Sequence, residues 1–244
     1  MKVSKEQKLE TRQAILRAAV EIIIEKGIKS ATMRQIAKNA GIADATIYNY
    51  FPAKEDIPFA YYEDHLQDCV HALEQLPDVQ AYTFQEYLQA FFDISLERYL
   101  ADREFVAITF KNIFFSMSHN FGRLKPIRDI FLSTVKQRFE TAVASEELPD
   151  CFFQEVISQL FLDFYVVVIM YWLSDRSRGF SNTMVLVDRS LDLICAGLKS
   201  GLIDKFFDIA MFLFKNHVLS RLDFFGERFD TFREMKASFF RKKS

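Results

Sequence analysis

Apolar residues recur at steps of three and four along almost the whole chain, and no segment alternates apolar with polar residues between turn signals. That spacing puts apolar side chains on one stripe of an α-helix, so the chain is expected to fold by packing helix on helix. Even the β-branched runs Ile22-Ile23-Ile24 and Val166-Val167-Val168 sit inside longer helical patterns. Half of the 244 residues are hydrophobic, with only 7 Gly and 5 Pro, which suits a well-packed core and excludes a disordered chain. No apolar run reaches the ~18 uncharged residues of a membrane span. Residues 160–173 come nearest and are interrupted by Asp163. The N-terminus is charged from Lys2 onward, without an apolar leader. Cys69, Cys151 and Cys195 are far apart and form no CxxC pair, which argues for a reducing cytoplasm and against a disulfide framework or zinc site.

Caps and breakers divide the pattern. Ser4 with Gln7 forms an S/T-x-x-Q box opening a first helix that should stop before Gly27, with Leu9, Ala14 or Ile15, Ala18, Ile22 and Ile23 facing inward. Thr32 with Gln35 opens a short helix from Met33 to Ala40; Gly41 ends it, and Asp44 can cap a second running to about Phe51. A longer helix follows to about Gln75, then helices near 84–100, 103–118, 127–145, 152–174 and 180–199. Three regions result: 1–53, 54–200 and a C-terminal extension, 201–244. Their charges differ, at net +5 for residues 1–54, −10 for 55–200 and +3 for 201–244. A basic head on an acidic body is what a phosphate-binding module joined to a partner domain would show, although ordinary surface charge gives the same numbers.

The segment from Ala31 to Phe51 has the design of a helix-turn-helix. Ala37 is small where two helices would approach, Gly41 tolerates positive φ in the turn, and Ile36, Ile42 and Ile47 anchor both helices to the first. Asp44, Ala45, Thr46, Tyr48, Asn49 and Tyr50 are then left near an exposed side that could enter a major groove. Thr, Asn and Tyr can bond phosphates or base edges, and Ala45 or the Thr46 methyl can touch a thymine methyl. An ordinary helical hairpin with Gly in its turn is the other reading of this pattern.

Residues 10–57 also resemble the N-terminal domain of TetR-family transcriptional repressors. The resemblance rests on Ile15-Leu16-x-Ala18-Ala19, Gly27, Thr32-x-Arg34-x-Ile36-Ala37, Ala40-Gly41-Ile42 and above all Thr46-Ile47-Tyr48-x-Tyr50-Phe51-x-x-Lys54-Glu55-Asp56-Ile57. It implies an all-α fold: a three-helix DNA-binding head, a linking fourth helix, and a larger ligand-binding body dimerising through its last two long helices. It further implies that Thr32 and Arg34 meet phosphate or a nearby base, Thr46 and Tyr48 touch the backbone, Asn49 and Tyr50 lie in or beside the groove, and Lys54 clamps a phosphate. Tyr48 has a competing place, its ring packed under the motif. Asp44 departs from the family's usual neutral or basic residue, and Ala45 from a common Gly. Lys2, Lys5 and Lys8 could add phosphate contacts or form a frayed, solvated terminus.

The body is rich in Phe, a residue that occurs 27 times in the chain. Phe110, Phe114, Met117 and Phe121 with Tyr165 and Trp172 form the candidate pocket, suited to a lipophilic effector such as a fatty acyl group, an aromatic or a cationic drug; core filling is the alternative for each ring. Asp163, in a strongly apolar helix, needs a polar partner, solvent or a ligand. His65 and His71 flank Asp68 at helical steps, which reads better as a solvated polar face than as a metal site. No HExxH, GxSxG or phosphate-binding Gly loop is present, so neither catalysis nor a cofactor is expected. The helices near 152–174 and 180–199 suit an intermolecular four-helix bundle, making a homodimer that binds double-stranded operator DNA. Residues 201–244 continue with Phe207, Met211, Phe214, Val218, Leu222, Phe225, Phe229 and Phe232, an amphipathic stripe that needs cover. Two readings follow. One is a ligand-responsive regulator acting as a repressor; the other is a helical sensor or scaffold working through protein or membrane contacts of the Phe-rich extension.

Overall fold

Both predicted capping boxes of the head are made. Ser4 Oγ accepts from the Gln7 amide at 3.1 Å while Gln7 Oε1 accepts from the Ser4 amide at 3.1 Å, and α1 runs Lys5–Ser30. The same exchange between Thr32 and Gln35 opens α2, Met33–Asn39. In this computed structural model, which describes residues 4–115, 117–151 and 153–213, the remaining helices are α3 (Asp56–Glu74), α4 (Phe84–Ala101), α5 (Arg103–Phe114), α6 (Met117–Ala144), α7 (Gln154–Ser174), α8 (Ser181–Lys199) and α9 (Leu202–Leu213). Short 3-10 turns lie at Ile47–Asn49, Val79–Ala81 and Arg178–Phe180, and no strand occurs among the described residues.

The helices pack around two cores. A small one joins α1, α2 and the start of α3 through Ile15, Leu16, Ala19, Ile36, Ala37, Ile47, Phe51 and Ile57. A large aromatic one fills the body between α3, α4, α6 and α7. A third cluster joins them, where Val20, Ile23 and Ala31 from the head surround Phe105 of α5, which is fully buried. Tyr61 of α3 packs beside it, 4.6 Å between ring centroids, and its hydroxyl donates to Asp102 at 3.0 Å.

Polar groups thread the aromatic core. His65 Nε2 bonds Ser95 Oγ at 2.9 Å, Ser95 Oγ bonds the Tyr165 hydroxyl at 2.7 Å, and the Tyr165 hydroxyl donates to that of Tyr99 at 3.3 Å. The His65 ring also stacks on Tyr99 at 3.5 Å. Burial, and secondarily the Arg98 charge, push the His65 pKa down to about 3, so the ring is neutral. The solvated-face expectation therefore fails at His65, which is 7% exposed. It holds at Asp68, which pairs with Arg98 at 2.9 Å.

Other departures from expectation have local causes. The α1 break is at Gly27 itself, at φ 76° and ψ 157°, and one more turn follows to Ser30. Leu9 is exposed rather than inward. α6 starts ten residues earlier than expected and runs through Pro126, because a proline removes one backbone donor without forbidding the packing of Ile127, Phe131 and Val135 behind it. α7 has the length and mean hydropathy, 1.9, to cross a membrane, although Phe161, Tyr165, Val168, Ile169 and Trp172 on its inner face are buried in the body core. Asp163 turns outward and accepts from Gln159 at 3.2 Å. Of the extension, α9 packs Ile203 against Gly197 and Phe207 on Phe153, while Leu202, Phe206, Ile209 and Leu213 stay exposed. Residues 214–244, with the rest of the expected stripe, lie outside the described residues.

Candidate nucleic-acid interface

The helix-turn-helix geometry follows from a few small or branched residues. Ala37 is fully buried against α1, Gly41 turns the chain at φ 71°, and Ile36 and Ile47 are 1% and 0% exposed, with Ile42 partly covered. The Ile42 amide donates to the Ala37 carbonyl at 3.0 Å, closing the end of α2. Beyond the turn the chain is wound more tightly than expected. In place of an α-helix from Asp44 to Phe51, the Thr46, Asn49 and Tyr50 amides donate three residues back, at 2.8, 3.1 and 3.0 Å. Asp44 caps nothing there.

This tight turn presents Tyr48 and Asn49 outward. Tyr48 is 55% exposed, so the packing role considered for it falls instead to Tyr50, which leans on the head core. Ala45 is exposed and Thr46 half-buried. Thr32 sits at the start of α2 with its hydroxyl accepting from Gln35, so its cap and its exposure coexist. Arg34 is almost wholly exposed, and its Nε meets Asp44 Oδ2 at 3.2 Å. The unusual acid thus neutralises a neighbouring arginine across the motif.

Lys54 is placed differently from its expected role. Its ammonium donates to the carbonyls of Ile28, Lys29 and Ala31 at 3.1, 2.8 and 2.9 Å. An ammonium has three donors, and all three close the C-terminal end of α1, where a positive charge also suits the helix dipole. In this structure Lys54 is a helix cap with all three donors engaged.

Beside the tight turn lies a concave surface of about 950 Å³ lined by Lys5, Glu6, Lys8, Leu9, Arg12, Thr46, Asn49 and Tyr50. Lys5 and Lys8 belong to the capped first turn of α1 rather than to a frayed end, and Lys2 lies outside the described residues. Arg12 ion-pairs with Asp64 of α3 and lies 5.8 Å from the Phe51 ring centre, joining the head to α3. Sequence reasoning missed Arg12, although Lys5, Lys8 and Arg12 stand at i, i+3 and i+7 on one helical face.

The body residues expected to hold a ligand are only partly brought together. Phe110 stacks on Phe114 at 4.3 Å, and both meet Tyr62 edge-on. Tyr165 and Trp172 lie on another side of Tyr99, at 3.3 Å by hydroxyl for the first and 6.4 Å by ring for the second. Phe110, Tyr165 and Trp172 are each at most 1% exposed. Met117 and Phe121 are in α6, but their side chains lie outside the described residues. Cys69, Cys151 and Cys195 are all buried.

The sequence matches two family models. Residues 15–61 match the model for bacterial regulatory proteins of the tetR family, and residues 87–213 that for the tetracyclin repressor-like C-terminal domain. The fatty acid metabolism regulator protein of Bacillus subtilis is 39% identical over 69 residues, covering 28% of this chain and 36% of that protein. An uncharacterised HTH-type transcriptional regulator of the same organism, YvdT, is 26% identical over 143 residues, covering 57% of this chain and 70% of that protein. Among solved structures, Salmonella enterica GusR superposes with a TM-score of 0.63 at 23% identity, covering 82% of this chain and 100% of that chain. FadR from Bacillus subtilis, solved with stearoyl-CoA, superposes with a TM-score of 0.58 at 22% identity, covering 76% and 98%. At these identities the structures share the fold.

Proposed function

The chain belongs to the tetR family of bacterial regulatory proteins, and on that premise we propose that it is a cytoplasmic repressor, released from a palindromic operator by a lipophilic small molecule. The observation that carries the DNA-binding face is the exposure of Arg34, Tyr48 and Asn49 beside a concavity walled by Lys5 and Lys8. In this reading Tyr48, Asn49 and Ala45 enter the major groove, Thr32, Thr46 and Tyr50 contact its walls, and Arg34 with Asp44 tunes the approach. Lys5 and Lys8 bind phosphate.

A two-fold dimer supplies the second head. The outer face of α7 exposes Val156, Leu160, Val167 and Tyr171, and that of α8 exposes Val185 and Leu193. Water-exposed aliphatics on two adjacent helices favour burial against their own copies. The exposed stripe of α9 extends that apolar surface, which favours the dimer over a membrane or scaffold role for the extension. Two heads held about 34–36 Å apart would fit successive major grooves.

The effector reading places a ligand among Phe110, Phe114, Met117, Phe121, Tyr165 and Trp172. Phe110, Tyr165 and Trp172 are buried in the core and Phe110 stacks on Phe114, so a ligand must part these rings, and the resulting shift in α3 would reach the head through Tyr61, Phe105 and the Arg12–Asp64 pair. Related regulators solved with stearoyl-CoA and lauroyl-CoA favour a ligand carrying a fatty-acyl group.

Binding to duplexes from the chain's own promoter, measured against random duplex over a salt series, tests this. A regulator binds one palindrome tightly, with log K falling by about 0.9 per phosphate contact for each tenfold rise in salt. Tyr48→Ala with Asn49→Ala should abolish the preference for the palindrome. Equal affinity for random DNA would sink the proposal.

A further inference from the structure

The inward face of α6 contains one residue that does not belong to an apolar core. Ile127, Phe131, Val135 and Phe139 are buried at steps of four, followed by Ala142, and Arg138 is buried beside Phe139, three residues after Val135 and four before Ala142. It is 6% exposed. Its guanidinium lies over the Tyr87 ring, 5.1 Å from the centroid. Among the described residues no carboxylate comes within 4.0 Å of it, and Nε has no hydrogen-bond partner.

Arg103 likewise has an unpartnered Nε and no carboxylate within 4.0 Å among the described residues, but rings and carbonyls meet its charge. Arg103 lies between the Trp172 and Phe180 rings and donates to two α7 carbonyls at 3.2 and 2.9 Å. Arg98 pairs with Asp68, and Arg12 with Asp64. A guanidinium cannot shed its proton, so Arg138 cannot escape burial by becoming neutral. A buried charge without a counter-charge is strongly unfavourable, whereas the same charge opposite an anion is tolerated.

Space for an anion is present. A pocket of about 70 Å³ opens at Arg138 between the end of α3, the 3-10 turn after it, α4 and α6, lined also by Glu74, Gln80, Tyr87, Gln137 and Thr141. That volume has room for a single oxyanion group. The two glutamine amides can donate to it, whereas the Thr141 hydroxyl is already donated to the Gln137 carbonyl at 2.9 Å. Glu74 is the opposing charge at the pocket. It is exposed and beyond ion-pair distance, so it competes with an incoming anion without replacing it. Glu86 and Lys199 are the next charges whose fields reach this end of the body.

We propose that the pocket at Arg138 is an oxyanion-binding site, taking one carboxylate or phosphate group in the fork of the guanidinium, with Gln80 and Gln137 as further donors. The group can arrive as a free small anion or as the acidic head of an amphiphile. The site does not depend on the effector reading above, and the two are separable by measurement.

The test is calorimetric titration of the full-length protein with inorganic phosphate, acetate and dodecanoate at constant ionic strength in chloride. Saturable binding of phosphate or acetate, weakened at least tenfold by Arg138→Gln and less by Arg138→Lys, is expected. Dodecanoate binding at least a hundredfold tighter than acetate, with both weakened by Arg138→Gln, identifies the amphiphile's head as the source. Equal affinities identify the free anion. If dodecanoate binds and Arg138→Gln leaves it unchanged, the effector reading stands and this site is overturned. No saturable binding of any of the three also overturns it. Should Arg138→Gln fail to fold, the surface variant Glu74→Gln decides: binding several-fold tighter supports the site, and unchanged or weaker binding refutes it.

Discussion

The head and the body of this protein are both helical, yet they are built from different materials. The head core is small and aliphatic, with Ala18, Ala19 and Ala37 between Ile15, Ile36 and Ile47, and Phe51 as its buried ring. The body core is aromatic and polar inside, with Tyr62, Tyr99, Tyr165 and Trp172 at most 1% exposed and His65, Ser95 and Thr109 buried among them. Small residues let helices approach closely and hold a turn to one geometry, which suits a surface that must match a rigid groove. Large rings tied by hydroxyls leave alternatives to packing, which would suit the proposed rearrangement of this region around a ligand. The difference is one between a template and a switch.

The two meet at Phe105, and removing it should produce the largest effect. Phe105→Ala leaves a cavity between α1 and α5 and is expected to cost about 3–5 kcal/mol in urea denaturation. It should also uncouple the head, so that α1 amides exchange hydrogen well before those of α4. A loss under about 1 kcal/mol, or unchanged exchange, would mean that the head–body joint is carried elsewhere.

Lys54 sharpens the contrast within the head. Lys54→Met removes three charge-assisted hydrogen bonds to the end of α1 and should cost about 2–3 kcal/mol. The salt slope of DNA binding should stay the same, because no phosphate contact is lost. A slope shallower by about 0.9 would restore Lys54 to the interface.

These two residues also show how far the fold and site were legible in the sequence. Capping boxes, Gly41 and the Ile anchors act within a few residues of one another, so the head's helices and the exposed side of its motif could be read directly. The role of Lys54 could not, because its acceptors lie 23 to 26 residues away and a family pattern records the residue without its partner. The same limit is sharper in the body. Ser95 meets Tyr165 seventy positions along the chain, and His65 meets Ser95 across thirty, distances over which helical periodicity carries no information. The tight turn at Ile47–Asn49 escaped for another reason. Apolar spacing of three or four suits a 3-10 turn as well as one α turn, and the difference lies in hydrogen bonds. Arg138 was legible in principle, as a charge three residues after Val135 and four before Ala142 on the buried side of α6.

The body's buried polar chain predicts a pH dependence that the head should lack. Unfolded, His65 titrates near 6.5; folded, burial and then Arg98 hold it at about 3. Between these values the unfolded chain takes a proton that the folded chain refuses, so the stability present above pH 6.5 is lost as the pH falls toward 3. The loss by pH 5 is about 2 kcal/mol. Comparing wild type with His65→Gln in urea at pH 7 and pH 5 isolates it from the carboxylates common to both. Identical pH profiles for the two proteins would show that His65 is protonated in the folded core.

The smallest expected effect concerns the residue that departs most from its family pattern. Asp44 meets Arg34 across the exposed motif, and a pair so open to water adds little to folding, so Asp44→Asn should leave thermal stability unchanged. Its consequence lies in binding. In the free head Asp44 holds Arg34 and adds a negative charge close to the expected path of the phosphates. The asparagine keeps a hydrogen-bond acceptor for Arg34 and loses the charge, which should raise operator affinity roughly three- to tenfold at low salt. The gain should shrink as salt is raised, since screening removes the repulsion that the substitution relieved. If Asp44 instead accepts a hydrogen bond from a cytosine amino group, Asp44→Asn would weaken operator binding and relax the preference at one base pair, at every salt concentration. Titrating wild type and variant against the palindrome and single-base substitutions at two salt concentrations tells a tuning charge from a reading contact.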